Sequence, residues 1–205
     1  MKEKGIIFSE PMVRAILENR KTQTRRVITH RDNEIQEAER VTLRNDGKWQ
    51  FYQPGAKAPW LRINSPYKPG DILYVRETYA KHDDIKGYLY KATASEFEDN
   101  LVKWRPSRYM PRSAARIFLR VTDVRVERVK DISGRDACAE GIEIKKFGNR
   151  KHDFEELWDS LNAKRGYSWD SNPWCWVYEF ERVDADTFKE GLKEGLQEAG
   201  QYAAL

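Results

Sequence analysis

The chain has 205 residues, with 37 Lys and Arg against 33 Asp and Glu for a net charge of +4. Aromatic residues make up 12% and include 7 Trp, too many for a disordered chain, while no apolar run approaches the roughly 18 residues of a membrane helix. Two cysteines cannot build a disulfide framework and the N-terminus lacks the apolar core of a signal peptide, so a soluble, cytoplasmic, globular protein is expected.

Ile6, Ile7 and Phe8 form a short β-prone run. Ser9 and Pro11 then suit the start of a helix that puts Met12, Val13, Ile16 and Leu17 on one face. Asn19 sits where a left-handed C-terminal residue is wanted, so Arg20 to Arg26 reads as a loop, with a strand resuming at Val27–Ile28. Residues 30–65 read as an insertion. Within it, Val41 to Arg44 and Lys48 to Tyr52 alternate apolar and polar residues around Asn45-Asp46-Gly47, a hairpin signal. Pro69-Gly70-Asp71 launches a strand over Ile72 to Arg76, and Gly87 precedes another over Tyr88 to Ala92.

The longest strand pattern runs from Arg116 to Val129, with a slip in apolar parity near Asp123 that predicts a bulge or bend. Ser133 to Glu140 reads as a short helix, with Asp131 or Ser133 as its cap and Gly141 as its stop. Phe154 to Lys164 reads as an amphipathic helix ended by Gly166, and Trp174 to Arg182 as a final strand. Many short strands with few helices predict an α+β fold built on a small, bent β-barrel with helices packed on it. The segment 184–205 carries a four-residue repeat that aligns Phe188, Leu192 and Leu196; it reads as a helical tail and a candidate dimer contact.

Charge is uneven. Residues 1–31 hold eight Lys and Arg against three acids, residues 101–130 hold nine against two, and residues 183–205 hold two against five. Basic segments interleaved with aromatics are the footprint of a phosphate-bearing partner such as a nucleotide or nucleic acid. The sequence has no phosphate-binding glycine loop, no serine elbow and no His or Cys at metal-ligand spacing. No cofactor and no metal is expected, and any catalysis falls to Lys, Thr, Glu and Arg.

The segment Ile16-Leu17-Glu18-Asn19-Arg20-Lys21-Thr22-Gln23-Thr24-Arg25-Arg26 resembles the signature of the ASCH domain, a β-barrel family related to PUA RNA-binding domains. That signature is Gly-x-Lys-x-x-Glu-x-Arg. Lys21 and Arg26 match it, Asn19 stands for the Gly and Thr24 for the Glu. A Lys-Thr-x-Thr-x-Arg version is similar to bacterial N4-acetylcytidine amidohydrolases of the family, which implies catalytic roles for Lys21 and Thr24. Glu140, in Asp136-Ala137-Cys138-Ala139-Glu140-Gly141, occupies the place of their third catalytic residue. The resemblance extends to phage and prophage ASCH proteins through Gly70 to Thr78, Trp104-Arg105-Pro106-Ser107, Met110-Pro111-Arg112, Val121 to Val124, Leu157 to Ser160 and Asn172-Pro173-Trp174. It implies a PUA-like (ASCH) barrel domain over residues 1–183, with the insertion and the tail as additions.

Hydrolysis of an acylated exocyclic amine needs a nucleophile, a base and an acid for the leaving group. Thr24, Lys21 and Glu140 supply such a set, with Arg26 to hold an oxyanion or a phosphate. Arg20, Trp104, Arg112 and Arg116 complete the expected substrate-binding set, Trp104 as an exposed stacking platform. Each also has a blander role: Lys21 binding phosphate, Thr24 capping a turn, Glu140 pairing with an arginine. Three functions follow. The first is an amidohydrolase acting on an N4-acylated cytidine or a related modified nucleoside or RNA. The second is an ASCH-type ribonuclease, and the third a non-enzymatic reader of RNA or modified phage DNA.

Overall fold

The computed structural model describes residues 2–29, 34–81, 87–142 and 149–183. Its elements divide between two compact units. The first comprises Met1–Leu17, Gly70–Arg120 and Glu181–Leu205; the second comprises Glu18–Pro69 and Val121–Phe180. The expected helical tail lies outside the described residues, as do the first residues of the expected insertion.

In the first unit, strand β1 (Glu3–Ile7) runs parallel to β6 (Ile72–Arg76), with Ile6 opposite Val75. The turn at Gly70, φ +84, aims Asp71 back at the N-terminal strand, where its carboxylate accepts from Lys2 N–H and Lys4 Nζ. Helix α1 (Glu10–Leu17) opens with Val13 N–H bonded to Ser9 C=O and buries Val13, Ala15 and Ile16. A two-stranded ribbon of β7 (Tyr79–Lys81) and β8 (Tyr88–Tyr90) follows β6. Helix α2 (Glu96–Leu101), unforeseen in the sequence reading, is closed at its start by Ser95 and Glu98 in a capping box. The beginning of β9 (Phe118–Arg128) pairs antiparallel with β6.

In the second unit, β2 (Gln23–Val27) pairs antiparallel with β10 (Trp174–Val183), placing Thr24 opposite Tyr178 and Arg26 opposite Trp176. The expected loop is therefore short: Asn19 turns the chain at φ 57, and the strand begins at Gln23 rather than Val27. Its polar residues are buried, Gln23 and Arg25 against charged groups from other elements, which is why apolar alternation missed it. The expected hairpin forms from β3 (Arg40–Leu43) and β4 (Trp49–Tyr52), turning at Gly47, φ +77. A third strand, β5 (Leu61–Ile63), joins β4. Helix α3 (Gly134–Ala139) starts at Ser133, which forms a capping box with Asp136, and the chain leaves it through Gly141 at φ 86. Helix α4 (Arg150–Asn162) starts four residues earlier than the apolar spacing suggests, capped by Asn149. Its buried face is Phe154, Trp158 and Asn162, while Leu161 faces solvent. Phe154 and Trp158 pack with Val129, Ile132, Ala137, Trp169 and Cys175 into this unit's core.

The principal sheet is mixed, with strand order β1-β6-β9-β10-β2. Among the described residues its pairing ends at β1 and β2, so the fold is α+β with an open five-stranded sheet and no closed barrel. Strand β9 passes through Asp123 unbroken, but Thr122 and Asp123 are both exposed, so the slip in parity is present as a break in alternation.

Candidate functional site

Lys21 follows the left-handed turn at Asn19 and precedes the edge strand β2. The end of α3 lines this free edge: Thr22 N–H donates to Ala139 C=O at 2.8 Å, and Lys21 and Glu140 form an isolated antiparallel bridge. Two positions 119 residues apart thus share one ladder rung. Lys21 Nζ donates to Gln23 O, Glu140 O and Glu140 Oε2, each at 2.8 Å. The side chains are 0% and 4% exposed.

The other carboxylate oxygen of Glu140 accepts from Arg25 Nη1 at 3.2 Å. Arg25, also buried, donates to Glu127 Oε2 at 2.8 Å and lies 3.5 Å from Asp136 Oδ2. Arg125 joins the cluster through Glu127, Glu179, Gln23 Oε1 at 3.0 Å and Asp136 at 3.3 Å. Three cations (Lys21, Arg25, Arg125) thereby meet five carboxylates (Asp123, Glu127, Asp136, Glu140, Glu179). Burial lowers the Lys21 pKa; Glu140 opposes that shift, and the charges of Arg26 and Arg25 add to it. Burial works against ionisation of Asp136, yet the Ser133 hydrogen bonds and the Arg25 and Arg125 charges hold its pKa below the usual range.

The register of β2 sets a second face. Gln23 and Arg25 point into the ion cluster, so Thr24 and Arg26 point with Tyr178 and Trp176 to the opposite side. There Tyr178 hydroxyl meets Ser65 Oγ at 3.0 Å, Tyr67 packs edge-on to Tyr178 at 4.9 Å, and Trp49 packs edge-on to Trp176 at 5.8 Å. Among the described residues no side chain hydrogen-bonds the buried Thr24 hydroxyl. Arg26 couples the two faces. From the Thr24 side its charge depresses Lys21, while burial lowers its own pKa against the opposing influence of Tyr67, Glu140 and Tyr178.

Lys21 and Glu140 are thus in direct contact, and Thr24 lies three residues from Lys21 on the opposite face of β2, without a bond to either. Arg20 is tied to Glu18 and donates to Gly141 O at 2.9 Å, beside Glu140. Trp104, Arg112 and Arg116 belong to the first unit and are engaged there. Trp104 is half-buried rather than exposed, its Nε1 donating to Asp99 at 2.7 Å with Lys91 5.3 Å from its ring centroid. Arg112 pairs with Glu3 and lies over Phe118. Arg116 grips buried Glu77 with two hydrogen bonds of 2.9 and 3.0 Å and stacks on Tyr90. Arg25, Arg125, Glu127 and Asp136 escaped the sequence reading. The alternation of 21, 23 and 25 along an extended segment would have grouped Arg25 with Lys21, but Glu127 and Asp136 carry no local signal.

No protein-family model and no curated protein matches the sequence. Among solved structures the chain is similar to protein EF3133 from Enterococcus faecalis V583, described as family-model DUF984. The identity is 14%, with 93% of this chain and 82% of that chain covered, and the TM-score is 0.45.

Proposed function

We propose that the protein is an ASCH-type, PUA-like amidohydrolase that removes the acyl group from an N4-acylated cytidine or a related modified nucleoside, free or within RNA. The observation that carries this reading is the buried Lys21–Glu140 pair at the start of β2, the strand whose opposite face bears Thr24. The Lys-Thr-x-Thr-x-Arg segment supports it from the sequence.

The pair holds one proton on a 2.8 Å bond. With that proton on nitrogen, Lys21 is an ammonium and Glu140 a carboxylate. With it on oxygen, Lys21 is a neutral amine, the form that its burial favours. The neutral form contains the base and the acid that amide cleavage needs. Thr24 Oγ1 attacks the acyl carbon, and because the register of β2 sets hydroxyl and amine on opposite faces, its proton reaches Lys21 Nζ by way of a water molecule. The carbon–N4 bond breaks as Glu140 protonates the leaving nitrogen, which returns the pair to ammonium and carboxylate. Water then attacks the threonine ester, its hydroxyl going to the acyl carbon and a proton to Thr24 Oγ1; this releases the acid and frees the hydroxyl. Arg26 faces the developing oxyanion.

The test is conversion of N4-acetylcytidine, and of N4-acetylcytidine in RNA, by the purified full chain in the presence of EDTA, followed by chromatography. Cytidine and acetate in equal amounts are expected. Glu140→Gln, which keeps the shape and removes the acid, is expected to lower kcat by roughly 10²–10⁴-fold. Wild-type protein inert on both substrates would sink the proposal.

A further inference from the structure

The most basic part of the chain lies outside the site above. No acid occurs between Asp99 and Asp123, a stretch holding Lys103, Arg105, Arg108, Arg112, Arg116 and Arg120. Acids from elsewhere in the same unit reach part of it: Glu3 pairs with Arg112, Glu77 with Arg116 and Glu181 with Arg120. Lys103, Arg105 and Arg108 are exposed, and among the described residues none of their side chains has an ion-pair or hydrogen-bond partner. Beside them Tyr109 is 66% exposed.

This exposure is not that of a loose loop. Arg105 exchanges both backbone hydrogen bonds with Tyr79, at 2.8 and 3.2 Å. Tyr109 and Met110 N–H groups close on Pro106 and Ser107 carbonyls at 3.0 and 3.1 Å. Tyr79 hydroxyl donates to Tyr109 O at 3.0 Å, Arg76 donates to Arg108 O, and Met110 is buried. Trp104 turns inward to Asp99 and Lys91, so its extended neighbours Lys103 and Arg105 leave the backbone on the other side. The backbone is pinned from several directions while three cations and an aromatic ring stand in water.

We infer that the segment Lys103–Tyr109 is a binding surface for single-stranded nucleic acid, with Lys103, Arg105 and Arg108 on phosphates and Tyr109 stacked on a base. Three cations within six positions supply charge for successive phosphates, and a ring on a fixed backbone presents its face to a base. A duplex hides its bases from such a ring, so the surface favours single strands. The inference is independent of turnover: binding here stands or falls separately from amide hydrolysis, although on the proposed function it identifies a polynucleotide context for the modified base.

The test is fluorescence anisotropy of a labelled oligouridylate with the full chain across a salt series. Wild type is expected to bind with a steep salt dependence. Arg105→Ala/Arg108→Ala should reduce the slope of log K against log salt by about 1.4, two phosphate contacts at about 0.7 each. Tyr109→Ala should weaken binding by about 5- to 150-fold at every salt concentration. Lys48→Ala/Lys57→Ala, which removes the same charge from exposed positions elsewhere, is expected to leave the slope as in wild type. Absence of binding, equal binding of a duplex of the same length, or an equal loss in the Lys48/Lys57 control would each overturn the inference.

Discussion

Lys21 spends all three of its ammonium protons inside the protein, on Gln23 O, Glu140 O and Glu140 Oε2. Removing it leaves Glu140 buried with Arg25 alone, and breaking one side of a buried ion pair typically costs about 3–5 kcal/mol. Lys21→Met is expected to lower stability by that amount in urea unfolding; a loss under about 1 kcal/mol would mean that water reaches the site. The same geometry fixes the sign of a pH effect. On the proposed mechanism activity disappears as the pair loses its single proton, so the alkaline limb of kcat/KM follows Lys21. Burial, helped by the charges of Arg26 and Arg25, sets that limb below the ordinary lysine range. Arg25→Gln removes one depressing charge and is expected to move the limb upward. A limb that stays put, measured on the same substrate, would separate Lys21 from the titrating group.

Among the elements, α3 links a local sequence signal to a distant site. Ser133 and Asp136 close its capping box, Asp136 also faces Arg25 and Arg125, and the helix ends at Glu140. Ser133→Ala should cost about 1 kcal/mol, the usual value of an N-cap. Asp136, held below the ordinary aspartate range in the folded chain, contributes stability that is present above that range and is lost as pH falls through the folded pKa, because there the unfolded chain binds more protons. Asp136→Asn is therefore expected to flatten the acid side of the stability curve, read from urea midpoints at successive pH values. The start and stop of this helix were legible because capping and the left-handed Gly141 act over three or four residues. So were the turn at Asn19 and the hairpin around Gly47. The Lys21–Glu140 contact came only from the resemblance to ASCH enzymes, since no periodicity links positions 119 apart. Strand β2 was hidden because Gln23 and Arg25 are buried against the ion cluster and Thr24 against the facing strand, so no apolar alternation marks it. The capping box Ser95-x-x-Glu98 was readable in principle, but six residues of α2 with Phe97 and Leu101 exposed carry no core-facing stripe. The partners of Trp104, Arg112 and Arg116 are set by tertiary packing, which is why basic sequence alone overstated how much of this charge is available.

At the scale of the molecule, two compact units divide the chain but not its longest strands: the division falls within β9, between Arg120 and Val121, and within β10, between Phe180 and Glu181. A strand that loses its ladder at one end frays toward the other, so the units are expected to unfold in one transition. The tryptophans provide a direct test. Trp104 is in the first unit, whereas Trp49, Trp60, Trp158, Trp169, Trp174 and Trp176 are in the second. In a Trp104→Phe background, tryptophan fluorescence therefore reports on the second unit alone. The perturbation belongs in the first unit, at Arg116, whose two hydrogen bonds satisfy the 1%-exposed Glu77. Arg116→Gln strands that carboxylate, at a cost of about 3–5 kcal/mol. With coupled units, the urea midpoint of Trp104→Phe/Arg116→Gln should fall below that of Trp104→Phe by the equivalent of that loss, with an unchanged slope. A midpoint that does not move while far-ultraviolet circular dichroism shows an earlier loss of structure would establish that the units unfold independently and that the shared strands transmit no stability between them.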